Sequence, residues 1–416
     1  MRLAYTFVIH IYSLLVRIAS LFNPKAALWI SGRKDGFDRL KKIAGNNDEW
    51  LWFHAASLGE FEQGRPVIEA IREKYPDFKI LLTFFSPSGY ELRKNYELAH
   101  CVAYLPADTL QNANKLLELF HFKAVFFIKY EFWFNYMYQI GQKGVPLYFI
   151  SAKFRPKQHF FSWYGGWFRK QLLNVSHFFV QDETSLELLK KIGITRASLS
   201  GDTRFDRVFR LARQASKFPI IEHFKGDGKI IIAGSTWPSD EKMLLPLVQQ
   251  LPSNYKIVIA PHDVSEKHIA SIEAQLIATH IRYTDYNSND DYKVLIINNI
   301  GILSQLYQYA AFAYVGGGFG QAIHNIQEAL TFGCPVIIGP KHKNFIEAVD
   351  LVASGGVFEV FDAVSMNSIL SKLIIDETFR NEASAICRNY VVRQIGATDM
   401  ILKYLESDFE TKTVVG

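Results

Sequence analysis

The sequence predicts an α/β protein: two successive Rossmann-like domains, each with a parallel sheet, behind an apolar N-terminal helix. Three observations predict it. From Trp50 onward, short apolar runs alternate with amphipathic stretches, the mark of β/α units and a parallel sheet. The alternation breaks at a polar stretch over residues 213–228 and then restarts. The length, 416 residues, allows two or three domains that each bury a core. Composition agrees, because 49% hydrophobic and 21% charged residues describe a globular chain, not a disordered one. The net charge of +5 suits an anionic surface or substrate and is too weak to argue for nucleic acid. Cys101, Cys334 and Cys387 fit no metal or disulfide spacing and read as reduced, buried thiols of a cytoplasmic protein.

The first element, residues 3–22, is apolar and aromatic, interrupted by His10 and Arg17, with no cleavage site after it. Three readings are open. A spanning helix is long enough but puts Arg17 inside the lipid. An in-plane helix buries its bulk at the interface. A core helix would pack on its own domain. Lys25, Arg33, Lys34, Arg39, Lys41 and Lys42 follow and suit a negatively charged leaflet. Membrane attachment with the body of the protein in the cytoplasm is therefore expected.

Residues 50–57 read as a buried strand, and 64–75 have helical spacing with Val67, Ile68 and Ile71 on one face. Strands follow at 79–85, 102–105, 124–128, 146–150 and 178–181, with helices at 88–96 and 183–191. The second half repeats the pattern. Strands are expected at 229–233, 256–260, 294–297, 311–315 and 336–338, with helices at 239–251 and 326–332. The expected boundary lies near residue 210. The domains are then a membrane-associated helix at 1–24, a first Rossmann-like domain at 25–210 and a second at 211–416. In such sheets ligands bind beyond the carboxyl ends of the strands, so a cleft between those ends is the expected site.

Three constellations fall at such ends. His54-Ala55-Ala56-Ser57-Leu58-Gly59-Glu60 runs from a strand into a helix. Its small residues let a ligand approach the backbone, and Glu60 is placed to take a proton from a hydroxyl. Alternatively, Glu60 is only a helix-start carboxylate favoured by the dipole. Lys129 to Asn135 follows a strand and sets Glu131 among large aromatics, either facing a ligand or exposed beside a packing cluster. Gly316, Gly317, Gly318 and Gly320 open a turn suited to wrapping phosphate in backbone N–H groups. His324, Asn325 and Glu328 follow, and Glu328 is placed to accept from ribose hydroxyls. Glu347 is expected to face solvent, with a ligand role similar to that of Glu328 as the alternative. His262 and Gly301 close two further strand ends, with a satisfied loop histidine the alternative for His262.

Together these residues resemble the 3-deoxy-D-manno-octulosonic acid (Kdo) transferases. The family's H-A-x-S-x-G-E block is similar to His54–Glu60. Its E-x-E-L-W-P-N block resembles Lys129 to Asn135, with Glu131, Trp133 and Asn135 retained. Its S/N-A-R segment resembles Ser151-Ala152-Lys153, and its G-N-x-K-F-D resembles Gly201 to Asp206. Its G-G…H-N-x-x-E matches Gly316, Gly317, His324, Asn325 and Glu328. Pro261 stands where the family usually has arginine, Phe134 replaces a proline, and Ala322-Ile323 replaces Gly-Gly. Lys341 and Lys343 are the candidates by position for the missing cation.

The resemblance implies a GT-B glycosyltransferase, with CMP-Kdo on the C-terminal domain and a lipid A precursor on the N-terminal domain. It implies Glu60 as general base and Glu131 as second catalytic carboxylate. Donor contacts would fall on His262, Gly301, Gly316, Gly317, His324, Asn325 and Glu328, and acceptor contacts on Ser57, Gly59 and Lys153. Transfer would invert the anomeric centre at the cytoplasmic face of the inner membrane, with no cofactor, no metal and no nucleic-acid partner. The alternatives are another GT-B nucleotide-sugar enzyme, such as a sugar-nucleotide epimerase, or a non-enzymatic sugar-nucleotide sensor. An epimerase has no use for the anchor, and a sensor need not keep Glu60.

Overall fold

The computed structural model describes residues 1–45, 48–288 and 290–413. The chain divides into two compact units, Met1–Asp206 with Ile395–Gly416, and Arg207–Gln394.

The first unit is built on seven parallel strands: β1 (Glu49–Ala55), β2 (Lys79–Phe84), β3 (Cys101–Tyr104), β4 (His121–Ile128), β5 (Leu147–Ala152), β6 (His177–Val180) and β7 (Ala197–Leu199). Their order is β3-β2-β1-β4-β5-β6-β7, so the winding reverses between β1 and β4. Both faces are covered, which explains why the strands read as continuous apolar runs and not as alternation. Trp50 and Trp52 of β1 enter one buried layer, and Leu51 and Phe53 the other. Phe53 stacks on Phe126 of β4 at 4.5 Å between ring centroids. The Leu58–Lys74 helix crosses β4 closely at Gly64, where a Cβ would lie 2.0 Å from Ile128 Cδ1.

The second unit repeats the plan with β8 (Lys229–Thr236), β9 (Tyr255–Pro261), β10 (His280–Arg282), β11 (Val294–Ile296), β12 (Ala310–Val315), β13 (Val336–Ile338) and β14 (Val357–Glu359). Its order, β10-β11-β9-β8-β12-β13-β14, reverses between β8 and β12. Two doubly wound units in one chain are the plan of the GT-B class. The short strands β7, β10 and β14 are absent from the sequence reading. All three are three-residue edge strands, and β7 and β10 have no fully buried residue.

The domain limits need correction. The boundary falls at Asp206/Arg207, close to the expected 210, but the second domain does not run to residue 416. The Ala397–Thr413 helix returns to the first unit, where Ile401, Leu405 and Phe409 join Leu51 and Phe53. Asp206 fixes its start by accepting from the backbone N–H of Gly396 at 2.6 Å and of Thr398 at 2.7 Å.

The N-terminal helix spans Arg2–Ala19. None of its residues is buried, so it is no core helix. One side touches the first unit. The Tyr5 hydroxyl donates to Asp108 Oδ2 at 2.6 Å, and the Tyr12 ring packs on Trp29 and Phe85. The opposite side exposes Leu3, Phe7, Leu14, Leu15 and Ile18. Among the described residues, this is the one helix long and apolar enough to cross a membrane.

Candidate active site

In the first unit, the carboxyl ends of the adjacent strands β1 and β4 bring together two of the predicted constellations. The Leu58–Lys74 helix begins six residues before the expected 64, with Ser57 as N-cap in extended conformation. This puts Glu60 in the third helical position, over the free N–H groups of the first turn. Ser57 donates its hydroxyl to Glu60 Oε2. Lys129 Nζ lies 4.0 Å from Glu60 Oε1. Lys129 itself occupies φ 70°, a left-handed conformation costly for a residue with a Cβ. Ser151, at the end of β5, is strained in the same sense at φ 51°. Such outliers concentrate where geometry is held for function. A Cβ on Gly59 would meet only Ser57 Oγ at 3.8 Å, so packing does not demand glycine there.

Glu131 is buried, which overturns the reading that exposes it beside the aromatic cluster. One indole N–H, that of Trp133, is shared between Glu131 Oε2 and His54 Nε2, each at 2.9 Å. His54 Nε2 lies 3.6 Å from the same carboxylate oxygen. His54 Nδ1 is 2.9 Å from Thr83 Oγ1, which also accepts from Trp52 Nε1 at 2.7 Å. A neutral His54 that accepts at Nε2 therefore carries its proton on Nδ1 and gives it to Thr83. Lys153 pairs with Asp182 at 3.6 Å, and Ser151 Oγ meets Thr203 Oγ1 at 3.1 Å. Asp202 forms a forked pair with Arg204. Burial opposes its ionisation, but Arg204, helped by Lys129, overrides this and holds the carboxyl below the usual range.

In the second unit, His262, Gly316 and Gly317, which are expected to contact the donor, follow the ends of β9 and β12. Gly316 is obligatory, because a Cβ there would lie 2.4 Å from the Ser235 carbonyl oxygen. Gly317 needs its φ of 92°. Asp240, in the first turn of the Pro238–Val248 helix, fastens the loop. Its Oδ2 accepts from Gly317 N and Trp237 N, both at 2.9 Å, and its Oδ1 from the Tyr314 hydroxyl at 2.6 Å. The rings of Trp237, His262 and His324 stack in series, at 4.5 and 4.6 Å between neighbouring centroids. Trp237 Nε1 also donates to His324 Nε2 at 2.8 Å. Burial, with His262 alongside, keeps the His324 imidazole below its ordinary pKa.

Asn325 Nδ2 lies 3.4 Å from Glu328 Oε1, and Asn325 Oδ1 accepts from Gln327 N at the head of the Gln327–Thr331 helix. Glu328 lines a cavity of about 210 Å³ with Arg207, Ser304 and Gln305. Gly301 stands in the turn after β11 at φ 98°. Lys341, one of the two proposed cations, lies along the glycine loop. Its N–H donates to the Gly318 carbonyl at 3.1 Å and its Nζ to the Gly320 carbonyl. Glu347 does not face solvent; it is buried and accepts from Gln327 Nε2 at 3.1 Å.

Trp237, Asp240 and Thr83 were missed by sequence reasoning. A signal existed for Asp240, since Trp237-Pro238-Ser239-Asp240 has the proline at the first helical position and the acid two residues on that mark a helix start. Among the described residues, no group of three or more His, Cys, Asp or Glu side chains is arranged to hold a metal ion.

The family described as 3-deoxy-D-manno-octulosonic-acid transferase (kdotransferase) matches residues 33–207. A 3-deoxy-D-manno-octulosonic acid transferase of Rickettsia bellii is 26% identical over 337 residues, 78% of this chain and 79% of that protein. The Aquifex aeolicus protein of the same name is 26% identical over 335 residues, 78% of this chain and 86% of its own length. In fold, the chain is similar to UDP-GlcNAc 2-epimerase from Neisseria meningitidis. The TM-score is 0.60 at 17% identity, covering 86% of this chain and 100% of the other. The family match covers the strand ends that carry Glu60 and Glu131, and the relatives follow the chain over most of its length: the chain is similar to the Kdo transferases.

Proposed function

We propose that this glycosyltransferase moves Kdo from CMP-Kdo to a primary hydroxyl of the glucosamine disaccharide of a lipid A precursor. Transfer inverts the anomeric centre and needs no metal. The observation that carries the reading is the state of Glu60. It sits at the head of a helix with one oxygen held by Ser57 and the other toward Lys129, so its carboxylate is oriented and not saturated.

Glu60 removes the proton of the acceptor hydroxyl as that oxygen attacks C2 of Kdo. CMP departs as the bond to its phosphate breaks. The backbone N–H groups of Gly318 and Phe319 and the Lys341 ammonium meet the charge left on it. A single displacement with one base leaves no covalent intermediate, so the centre inverts. Glu131, locked by Trp133 and His54, is the second carboxylate of the site. His262, Gly301, Gly316, Gly317, His324, Asn325 and Glu328 take the donor, with Glu328 on the ribose hydroxyls. Ser57, Gly59 and Lys153 take the acceptor.

The outward apolar side of the N-terminal helix supports attachment to the cytoplasmic face of the inner membrane, where the acceptor resides. Its docked side, tied through Tyr5 to Asp108, favours a helix lying in the interface over one that leaves the body to span. A sugar-nucleotide epimerase would have no use for such a face. Incubating the protein with CMP-Kdo and a tetraacylated disaccharide precursor, followed by product mass measurement, tests the reading. Added Kdo mass is expected; unchanged acceptor with intact CMP-Kdo would refute it.

A further inference from the structure

A second surface of the first unit has the chemistry of a membrane contact. Residues 132–181 contain no Asp or Glu but six Lys or Arg, just as residues 1–34 contain no acid. Within that stretch the chain turns out between β5 and β6 and presents Trp163, 93% exposed, with Tyr164 beside it at 48%. Exposed aromatic bulk on this scale calls for a partner.

The tip is built, not loose. The Arg169 guanidinium donates to the carbonyls of Phe160 at 3.0 Å and Ser162 at 3.1 Å, and Phe160 is buried beneath. The His159 ring is 2.9 Å from the Tyr164 hydroxyl. A Cβ on Gly165 would lie 2.1 Å from the His159 carbonyl oxygen, so the turn admits only glycine there. The local fold thus holds an indole out in solvent, on a segment whose Arg155, Lys157 and Lys170 are also exposed. The surface is continuous with the N-terminal helix, because Trp167 packs on Tyr5 at 6.1 Å and on Phe134 at 5.3 Å.

We propose that residues 155–173 are a second membrane-contact element, in which Trp163 and Tyr164 enter the headgroup region of an anionic leaflet. Amphipathic rings favour that depth, and the exposed basic side chains of the same segment face lipid phosphates. Two contacts on one unit fix its orientation on the bilayer, which one helix alone does not. This inference rests on the proposed membrane attachment of the N-terminal helix.

The test uses the full chain with nitroxide labels at Trp163→Cys, Phe7→Cys and, as a control in the second unit, Val364→Cys, 80% exposed. The three native cysteines are buried, which favours labelling at the introduced sites. On phosphatidylglycerol-containing vesicles, labels at 163 and 7 should gain oxygen accessibility and lose accessibility to a nickel chelate, with the label at 364 unchanged. Insertion at 7 but not at 163 would overturn this proposal and leave the helix reading intact. Insertion at neither would overturn both. Equal insertion at 163 on pure phosphatidylcholine would overturn the anionic-leaflet assignment. Trp163→Ala, with unchanged melting, should weaken vesicle binding by at least about tenfold, the scale of burying one large aromatic side chain.

Discussion

The first strand of each unit leads into a helix with an acid at its third position, and the two acids have opposite fates. After β1, Glu60 follows the N-cap Ser57; after β8, Asp240 follows the N-cap Trp237. Asp240 is fully buried and takes three hydrogen bonds, from Trp237 N, Gly317 N and the Tyr314 hydroxyl. Glu60 keeps 13% of its side chain exposed and has Ser57 and a Lys129 ammonium 4.0 Å away. The same backbone position is thus used once to build and, in the proposed mechanism, once to react. What separates the uses is how many donors the protein itself spends on the carboxylate. Asp108 belongs with Asp240. It heads the Phe134–Gln142 helix, accepting from Asn135 N, Tyr136 N and the Tyr5 hydroxyl.

If Asp240 only builds, its removal should cost stability first. Asp240→Ala strands two N–H groups and a hydroxyl, at roughly 1–3 kcal/mol each. Urea denaturation should show a loss of at least about 3 kcal/mol. A loss below about 1 kcal/mol would break the comparison.

Asp108 sharpens it through pH. Burial pushes its carboxyl up from 3.8 to about 6, against three hydrogen bonds that favour the ionised form. The folded pKa is the higher one, so this group's contribution to stability is complete below pH 3.8. It is lost as the pH rises through about 6. Relative to Asp108→Asn, the wild type should lose up to about 3 kcal/mol between these limits. A pH-independent difference between the two proteins would contradict this.

Glu328 is the proposed ligand-side counterpart in the second unit. Glu328→Ala should weaken CMP binding by roughly 1–3 kcal/mol, the scale of a charge-assisted hydrogen bond, with acceptor binding unchanged. Calorimetry reads this directly, and unchanged affinity for CMP would remove Glu328 from the donor site.

Much of this was legible in the sequence because both sheets are buried on both faces. Runs such as Leu51-Trp52-Phe53 and Ile230-Ile231-Ile232 announce strands without any help from tertiary context. The strand-end positions of Glu60, Glu131 and the glycine loop were legible because strand ends followed by small residues are local signals. Three things were not. Ile401, Leu405 and Phe409 have helical spacing, but spacing does not say which unit the helix covers. Glu347 looks like an exposed helix-start acid until Gln327, twenty residues earlier in the chain, comes to bond it. The series of Trp237, His262 and His324 joins three strand ends that no sequence window contains.

The central claim is that Glu60 alone of these helix-head acids is free to do chemistry. The direct measurement is Kdo transfer by Glu60→Gln, with thermal melting and CMP binding taken on the same protein. Turnover should fall by at least ~10²-fold, the low end for a positioned base, with melting and CMP affinity unchanged. More than a tenth of wild-type turnover, or a fall in melting that matches the loss of activity, would contradict the claim.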